Sequence, residues 1–265
     1  MRLMKMTLSA GLGLLLGLWF FGGFQESYAQ PNQTLDLAKS GFRDRIQSSG
    51  FITSRPLQSW GSIVGTKDPV VILSEGEVVY LKIESGKEVK PGDRFFVARM
   101  SKVVSHPVTK KKIGQLVLIP GELTILAGKD NLVTAKVHKS YQPIHQGDQI
   151  ILSPPVLPDV MPIRTHKKIE GMVILSPEDA ENITQKEVIF IDRGSLDGVI
   201  TGNLFSIYQQ GFFNKEILKK EKGEIPLAKV GQAVVVSVQE ETSTAIIILS
   251  TQAIYVGDKA ISGVE

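Results

Sequence analysis

Apolar and polar positions alternate in short runs along most of the chain. The segments Glu77-Val78-Val79-Tyr80-Leu81-Lys82-Ile83 and Glu187-Val188-Ile189-Phe190-Ile191 are β-branched and aromatic, a composition that favours strands. Residues 95–98, which follow Pro91-Gly92-Asp93, predict another strand, as do 116–119, 123–126 and 133–137, with matches at 233–238 and 245–249. Short strands separated by Gly, Asp and Asn turns predict an all-β fold of small antiparallel barrels or sandwiches. A helical period shows only near the N-terminus, where Leu35, Ala38, Phe42 and Ile46 share one face with Thr34 as cap, predicting a short helix within residues 30–50.

The body is one module written twice. Shifting the sequence by 110 residues matches 61–151 to 171–261 without a gap, with 18 identities in 91 positions, against roughly five expected from average residue usage. Gly61/Gly171, Glu77/Glu187, Phe95/Phe205, Gly121/Gly231, Thr134/Thr244, Ile144/Ile254 and Asp148/Asp258 are among the identities, and Tyr80/Phe190 and Val97/Ile207 are conservative pairs. Four Pro fall within residues 153–162, which can continue neither a helix nor a central strand and so predict an extended, semi-rigid linker. The expected organisation is a polar segment at 30–50, a β module at 51–152, a Pro-rich linker at 153–168 and a second β module at 169–265.

Gly92-Asp93, Gly147-Asp148, Gly202-Asn203 and Gly257-Asp258 recur before strands. Gly supplies the positive φ of a tight turn and Asp or Asn bonds back to backbone amides. A calcium site would need six to eight oxygens gathered in one loop, and Asn203 stands where the other turns carry Asp. Turn chemistry is therefore the expected role.

The first 29 residues have a different character. Arg2 and Lys5 precede the uncharged stretch 7–24, and Ser27-Tyr28-Ala29 places small residues at −3 and −1 of a cleavage site. That is the layout of a secretory signal peptide over 1–29. Left uncleaved, the same stretch is long enough for a membrane anchor. The expected location is the periplasm, with inner-membrane anchoring as the alternative. The chain has no Cys, which excludes disulfides, thiolate metal sites and cysteine nucleophiles. Its 30 basic residues nearly match 27 acidic ones, for a net charge of +3, and that balance gives no dedicated nucleic-acid surface.

Catalytic patterns are missing from the sequence: G-x-S-x-G, H-E-x-x-H and S-x-x-K do not occur. His106, His138, His145 and His166 lack metal-ligand spacing. Gly194-Ser195-Leu196-Asp197-Gly198 reads as a β-turn, and Glu240-Glu241 as a solvated hairpin tip. No enzyme, cofactor or metal is expected. The remaining candidate is basic: Lys110, Lys111 and Lys112 recur as Lys219, Lys220 and Lys222 on loops between strands. Such loops either meet an anionic polymer such as peptidoglycan or simply keep the chain soluble.

Gly61-Ser62-Ile63, Val79-Tyr80, Gly92-Asp93-Arg94-Phe95, His106-Pro107-Val108-Thr109, Gly121-Glu122-Leu123 and Gly147-Asp148 stand in an order that resembles the region following the LysM domain of bacterial LysM envelope proteins. The second copy, with Asp197-Gly198-Val199, Gly202-Asn203, Phe205, Gly231 and Gly257-Asp258, resembles the C-terminal β domain of the flagellar assembly protein T family. The roughly 20 residues before Gly50 hold no LysM module, so glycan binding does not carry over with the resemblance. It implies an exported, all-β, non-catalytic envelope protein. A structural or protein-interaction role follows, through module surfaces or exposed strand edges, with an envelope protein as partner. Peptidoglycan or anionic polymer binding is the alternative.

Overall fold

The computed structural model describes residues 42–69, 71–152, 160–210 and 226–263. Residues 1–29, and with them the signal-peptide reading, lie outside the described residues, as do Thr34, Leu35 and Ala38. Among the described residues the chain is all-β apart from one helix, α1 (Phe42–Ser49), and one turn of 3-10 helix (Ser195–Asp197). Among the described residues no helix is long and apolar enough to cross a membrane.

The first module contains β1 (Phe51–Thr53), β2 (Gly61–Thr66), β3 (Val78–Ile83), β4 (Arg94–Ser105), β5 (Lys112–Lys129), β6 (Leu132–Ser140) and β7 (Gln149–Leu152). The second contains β8 (Ile169–Leu175), β9 (Val188–Ile191), β10 (Leu204–Gln210), β11 (Leu227–Val238), β12 (Ser243–Ser250) and β13 (Lys259–Ser262). The second set closes as β10-β11-β12-β9-β8-β13. In the first, β4 pairs β5, β5 pairs β6, β6 pairs β3, β3 pairs β2, β2 pairs β7 and β7 pairs β4, the same ring, with β1 added on the outside of β5.

The 110-residue offset survives into the hydrogen-bond register. Phe95 faces Leu123 as Phe205 faces Ala233, and Tyr80 faces Thr134 as Phe190 faces Thr244. Even the bulge between Ile63 and Gly65 returns between Val173 and Leu175. Alternate inward residues fill each barrel. Ile63, Val79, Leu81, Phe95, Val97, Leu123 and Ile144 are buried in the first, and their counterparts Val173, Ile189, Ile191, Phe205, Ile207, Ala233 and Ile254 in the second. A barrel of this size is packed by its own side chains.

Two strands expected at 116–119 and 123–126 are one long strand. Pro120-Gly121 reads as a break in sequence, but it sits where the β4–β5 register shifts between Val97 and Arg99. Pro is tolerated at such bulges, and the Pro120 carbonyl accepts the N–H groups of Tyr141 and Gln142. Gly121 is required there because a Cβ would lie 2.4 Å from the Lys139 carbonyl oxygen; at Gly231 the same clash falls on Leu249. The Gly194–Gly198 stretch, read as a β-turn, is instead the 3-10 turn, closed by Gly198 at φ +91°.

The linker does less of the joining than its composition suggests. Residues 153–159 lie outside the described residues. Beyond them, Val160 is buried on barrel 2, and Ile163 donates its N–H to Gly202 and accepts from Leu204. The larger join comes from elsewhere. β4 and β5 run past barrel 1 as a two-stranded arm, β1 pairs along it (Phe51 facing Val117, Ile52 facing Leu116), and together they lie on β8, β9 and β12 of barrel 2. Ile52, Val104 and Leu116 form one buried cluster with Ile174 and Phe190.

Candidate functional site

The basic candidate divides in two. Lys110, Lys111 and Lys112 are exposed at the tip of the β4–β5 arm. Lys110 takes φ +59°, which turns the chain while its N–H bonds to the His106 carbonyl. Lys219, Lys220 and Lys222 lie outside the described residues, so only one of the two predicted clusters has a described setting.

The Gly-Asp pairs carry out turn chemistry. The Asp93 carboxylate accepts the N–H of Lys90 at 2.7 Å, that of Asp148 the N–H of His145 at 2.8 Å, and that of Asp258 the N–H of Tyr255 at 2.8 Å. Asn203 does the same for Ile200 at 3.0 Å, which explains why Asn substitutes freely: only the acceptor oxygen is needed. Among the described residues no group of three His, Asp or Glu is placed to hold a metal.

Two of these turns differ in what faces them. Asp148, 7% exposed, is held by Arg99 through a paired contact, Nε to Oδ1 at 2.8 Å and Nη2 to Oδ2 at 2.6 Å. Position 209 replaces that Arg with Gln, whose amide reaches Asp258 at 2.7 Å. Burial pushes the Asp258 carboxyl above the usual aspartate range, and the bonds from Tyr255 and Gln209 offset part of that rise.

Sequence spacing gave His106 no carboxylate neighbour, but folding supplies one. Its Nε2 lies 3.3 Å from Oδ2 of Asp192 on barrel 2. Nδ1 accepts the N–H groups of Val108 and Thr109, each at 3.2 Å, which places the ring proton on Nε2, facing the carboxylate. Asp192 also accepts from the Met172 N–H at 2.6 Å and from Arg193 at 2.9 Å. Both partners are occupied in holding the arm to the barrel, and neither is poised as a general base.

His106–Asp192 belongs to a larger seam. Arg55 meets Glu240 at 2.6 Å, Lys102 meets Asp179, and the Thr242 hydroxyl donates to the Ile52 carbonyl at 3.1 Å. The seam has a polarity, with the donors Arg55, Lys102 and His106 on the side of the first module and the carboxylates on barrel 2. Helix α1 straddles it. Asp44 pairs with Lys139 of barrel 1, Arg45 donates to the Lys186 carbonyl of barrel 2 at 3.5 Å, and Ile46 is buried with Val188, Val234 and Val236. Gly50 ends the helix at φ +68° against β5, where a Cβ would overlap the Val117 carbonyl oxygen at 1.8 Å. Beside α1 an apolar groove of about 240 Å³ opens between the modules, lined by Ile46, Phe51, Ile119, Ile151 and Thr244.

The barrels' closure also bears on strand edges as a binding route. Within each closed ring no edge is free; beyond Ala98, β4 pairs only with β5 in the arm and so keeps one open edge, while the carbonyls of Gly50 and of Ile52 in β1 accept the hydroxyls of Thr244 and Thr242. Outer barrel surface is open as well. On barrel 1, Val64 is 46%, Tyr80 37% and Leu132 59% exposed. Spacing alone did not reveal the seam or this strip. The signal that could have was the offset itself, because Val64 and Tyr80 stand where Ile174 and Phe190 stand. Compared with known proteins, the chain matches no family model and no curated protein.

Proposed function

We propose that this is an exported, non-catalytic cell-envelope protein whose work is structural, done by binding another protein through the outer surface of its barrels. The observation that carries the reading is the seam. His106, Asp192, Asp148 and Asp258 are engaged in turns and in holding one barrel to the other, while an apolar strip at Val64, Tyr80 and Leu132 stays uncovered. Exposed apolar groups gathered on one face are the mark of a protein contact. Export rests on the layout of residues 1–29 and on the resemblance to envelope proteins, and the periplasm is the compartment that reading assigns. The test is crosslinking in the intact envelope followed by capture. A discrete crosslinked partner, lost when Tyr80 is replaced by Glu, supports the proposal; capture that is indifferent to Tyr80→Glu contradicts it.

A second reading, binding of an anionic envelope polymer such as peptidoglycan, is favoured by one observation, three exposed lysines together at the arm tip. Its test is sedimentation with isolated peptidoglycan sacculi. Binding that falls with salt and disappears on replacing Lys110, Lys111 and Lys112 supports it, and failure to sediment at low salt rejects it.

A further inference from the structure

Barrel 2 shows what the outer face of the module can receive. Leu204, Val234, Ile246 and Val188 stand in one row across β10, β11, β12 and β9, and Ile46 of α1 and Val160 pack on that row in a buried apolar cluster. Barrel 1 carries the same row in the same register, as Arg94, Thr124, Lys136 and Val78 across β4, β5, β6 and β3. The bulge beside the row is repeated too, at Leu126 and at Val236. One face has been given two chemistries.

Where barrel 2 has Leu204, Val234, Ile246 and Ile248, barrel 1 has Arg94, Thr124, Lys136 and His138. With Leu126 these line an open groove of about 520 Å³, in which Glu75 is the one carboxylate among the described residues. Arg94, Lys136 and His138 are exposed, and among the described residues none of the three side chains has a hydrogen-bond or ion-pair partner. Exposure to solvent accounts for the loss of apolar groups. In a chain of 30 basic and 27 acidic residues, it does not account for two charged replacements of one sign with an imidazole beside them.

The spacing says what fits. Arg94 and Lys136 stand two strand spacings apart, about 10 Å, on either side of Thr124, and His138 lies two residues further along β6. Donors spread so widely match several carboxylates carried on one segment better than a single small anion. The groove also borders the apolar strip, because Val78 and Tyr80 are alternate residues on the outer side of β3.

We infer that the groove over Thr124 receives an acidic segment of a partner protein, held by Arg94, Lys136 and His138 at the place where barrel 2 holds α1 by apolar contact. The inference rests on the reading that the barrels bind protein, and it names the chemistry of what they bind: carboxylates toward the groove, apolar groups toward Tyr80.

The test is fluorescence anisotropy of a fluorescein-labelled helical peptide of Glu and Ala, titrated with the purified protein. Binding is expected at low salt, weaker at high salt, and absent for the same peptide with Gln in place of Glu. Arg94→Glu combined with Lys136→Glu is expected to weaken binding about tenfold. Lys110→Glu combined with Lys112→Glu makes the same change in net charge at the arm tip and should weaken it under about twofold. Glu75→Gln should tighten it about twofold. All five positions are exposed, so an unchanged urea midpoint confirms that each variant folds. Absence of binding overturns the inference, and so does an equal loss from the two charge reversals, which would mean attraction to the chain as a whole. Inorganic polyphosphate that binds more tightly per charge through Arg94 and Lys136 would also overturn it, assigning the groove to an anionic polymer. An envelope partner lost in Tyr80→Glu but kept in the Arg94→Glu, Lys136→Glu variant would sink the groove alone and leave the protein-binding reading standing.

Discussion

Tyr80 and Phe190 occupy the same place on the same strand of two copies of one barrel, paired with Thr134 and Thr244, yet one is 37% exposed and the other fully buried. Nothing in the local pattern separates them. What differs is what each barrel meets. Barrel 2 lies under the arm, and several positions beneath the arm are larger, less polar or acidic where barrel 1 differs: Ile174 for Val64, Leu175 for Gly65, Phe190 for Tyr80, Asp192 for Lys82. The inside of the module was duplicated and kept, whereas the outside was rewritten according to its neighbour. The difference between the two copies therefore lies on their outer faces.

Removing the covered member of the pair should have the largest effect. Phe190→Ala empties a fully buried aromatic site at the seam and should cost about 3–5 kcal/mol, read from the urea midpoint. Tyr80→Ala should cost under about 1.5 kcal/mol, because its ring is already part-exposed. Equal losses would mean that the two faces are not differently covered.

The next contrast is Arg99–Asp148 against Gln209–Asp258. Arg99→Leu leaves Asp148 buried without its cation and should destabilise by about 3 kcal/mol. Gln209→Leu removes a neutral partner and should cost about 1 kcal/mol.

The same pair gives opposite substitutions a pH signature. Because the folded pKa of Asp258 is raised, the folded chain holds that proton more tightly than the unfolded chain does. Its carboxylate therefore subtracts stability as pH rises from the ordinary aspartate range through the raised value, and subtracts nothing once pH lies below both. Asp258→Asn, which keeps the oxygen that accepts the Tyr255 N–H, should flatten the fall in urea midpoint as pH rises from the ordinary aspartate range toward neutrality. Gln209→Arg should reverse it, with a gain under about 1 kcal/mol at neutral pH. An unchanged profile in both variants would contradict the assignment. Smallest of all, replacing Lys110, Lys111 and Lys112 together by Ala should leave the urea midpoint within about 0.5 kcal/mol, since all three are solvated at the arm tip.

Much of this architecture could be read from the chain. The gapless offset foretold a repeated register, and the Gly-Asp pairs foretold the turns, because both depend on local chemistry. Pro120-Gly121 misled for the same reason: locally it is a break, and only the barrel's curvature makes it a bulge. His106 and Asp192 are 86 residues apart in sequence, and no spacing rule joins them until the arm is laid on barrel 2. The open strip was legible in part, through the exchange of Tyr80 for Phe190, but its meaning depended on knowing which copy was covered.

The most direct test of that difference is hydroxyl-radical footprinting of the dilute protein, with oxidation of Tyr80 and Phe190 quantified peptide by peptide. Tyr80 should be oxidised readily and Phe190 hardly at all, with Phe190 becoming reactive in a Val104→Asp, Leu116→Asp variant whose arm no longer seats. Equal reactivity of the two rings in the unaltered chain, or a Phe190 that stays silent when the arm is disrupted, would contradict the view that one seam covers the second barrel and leaves the first one open.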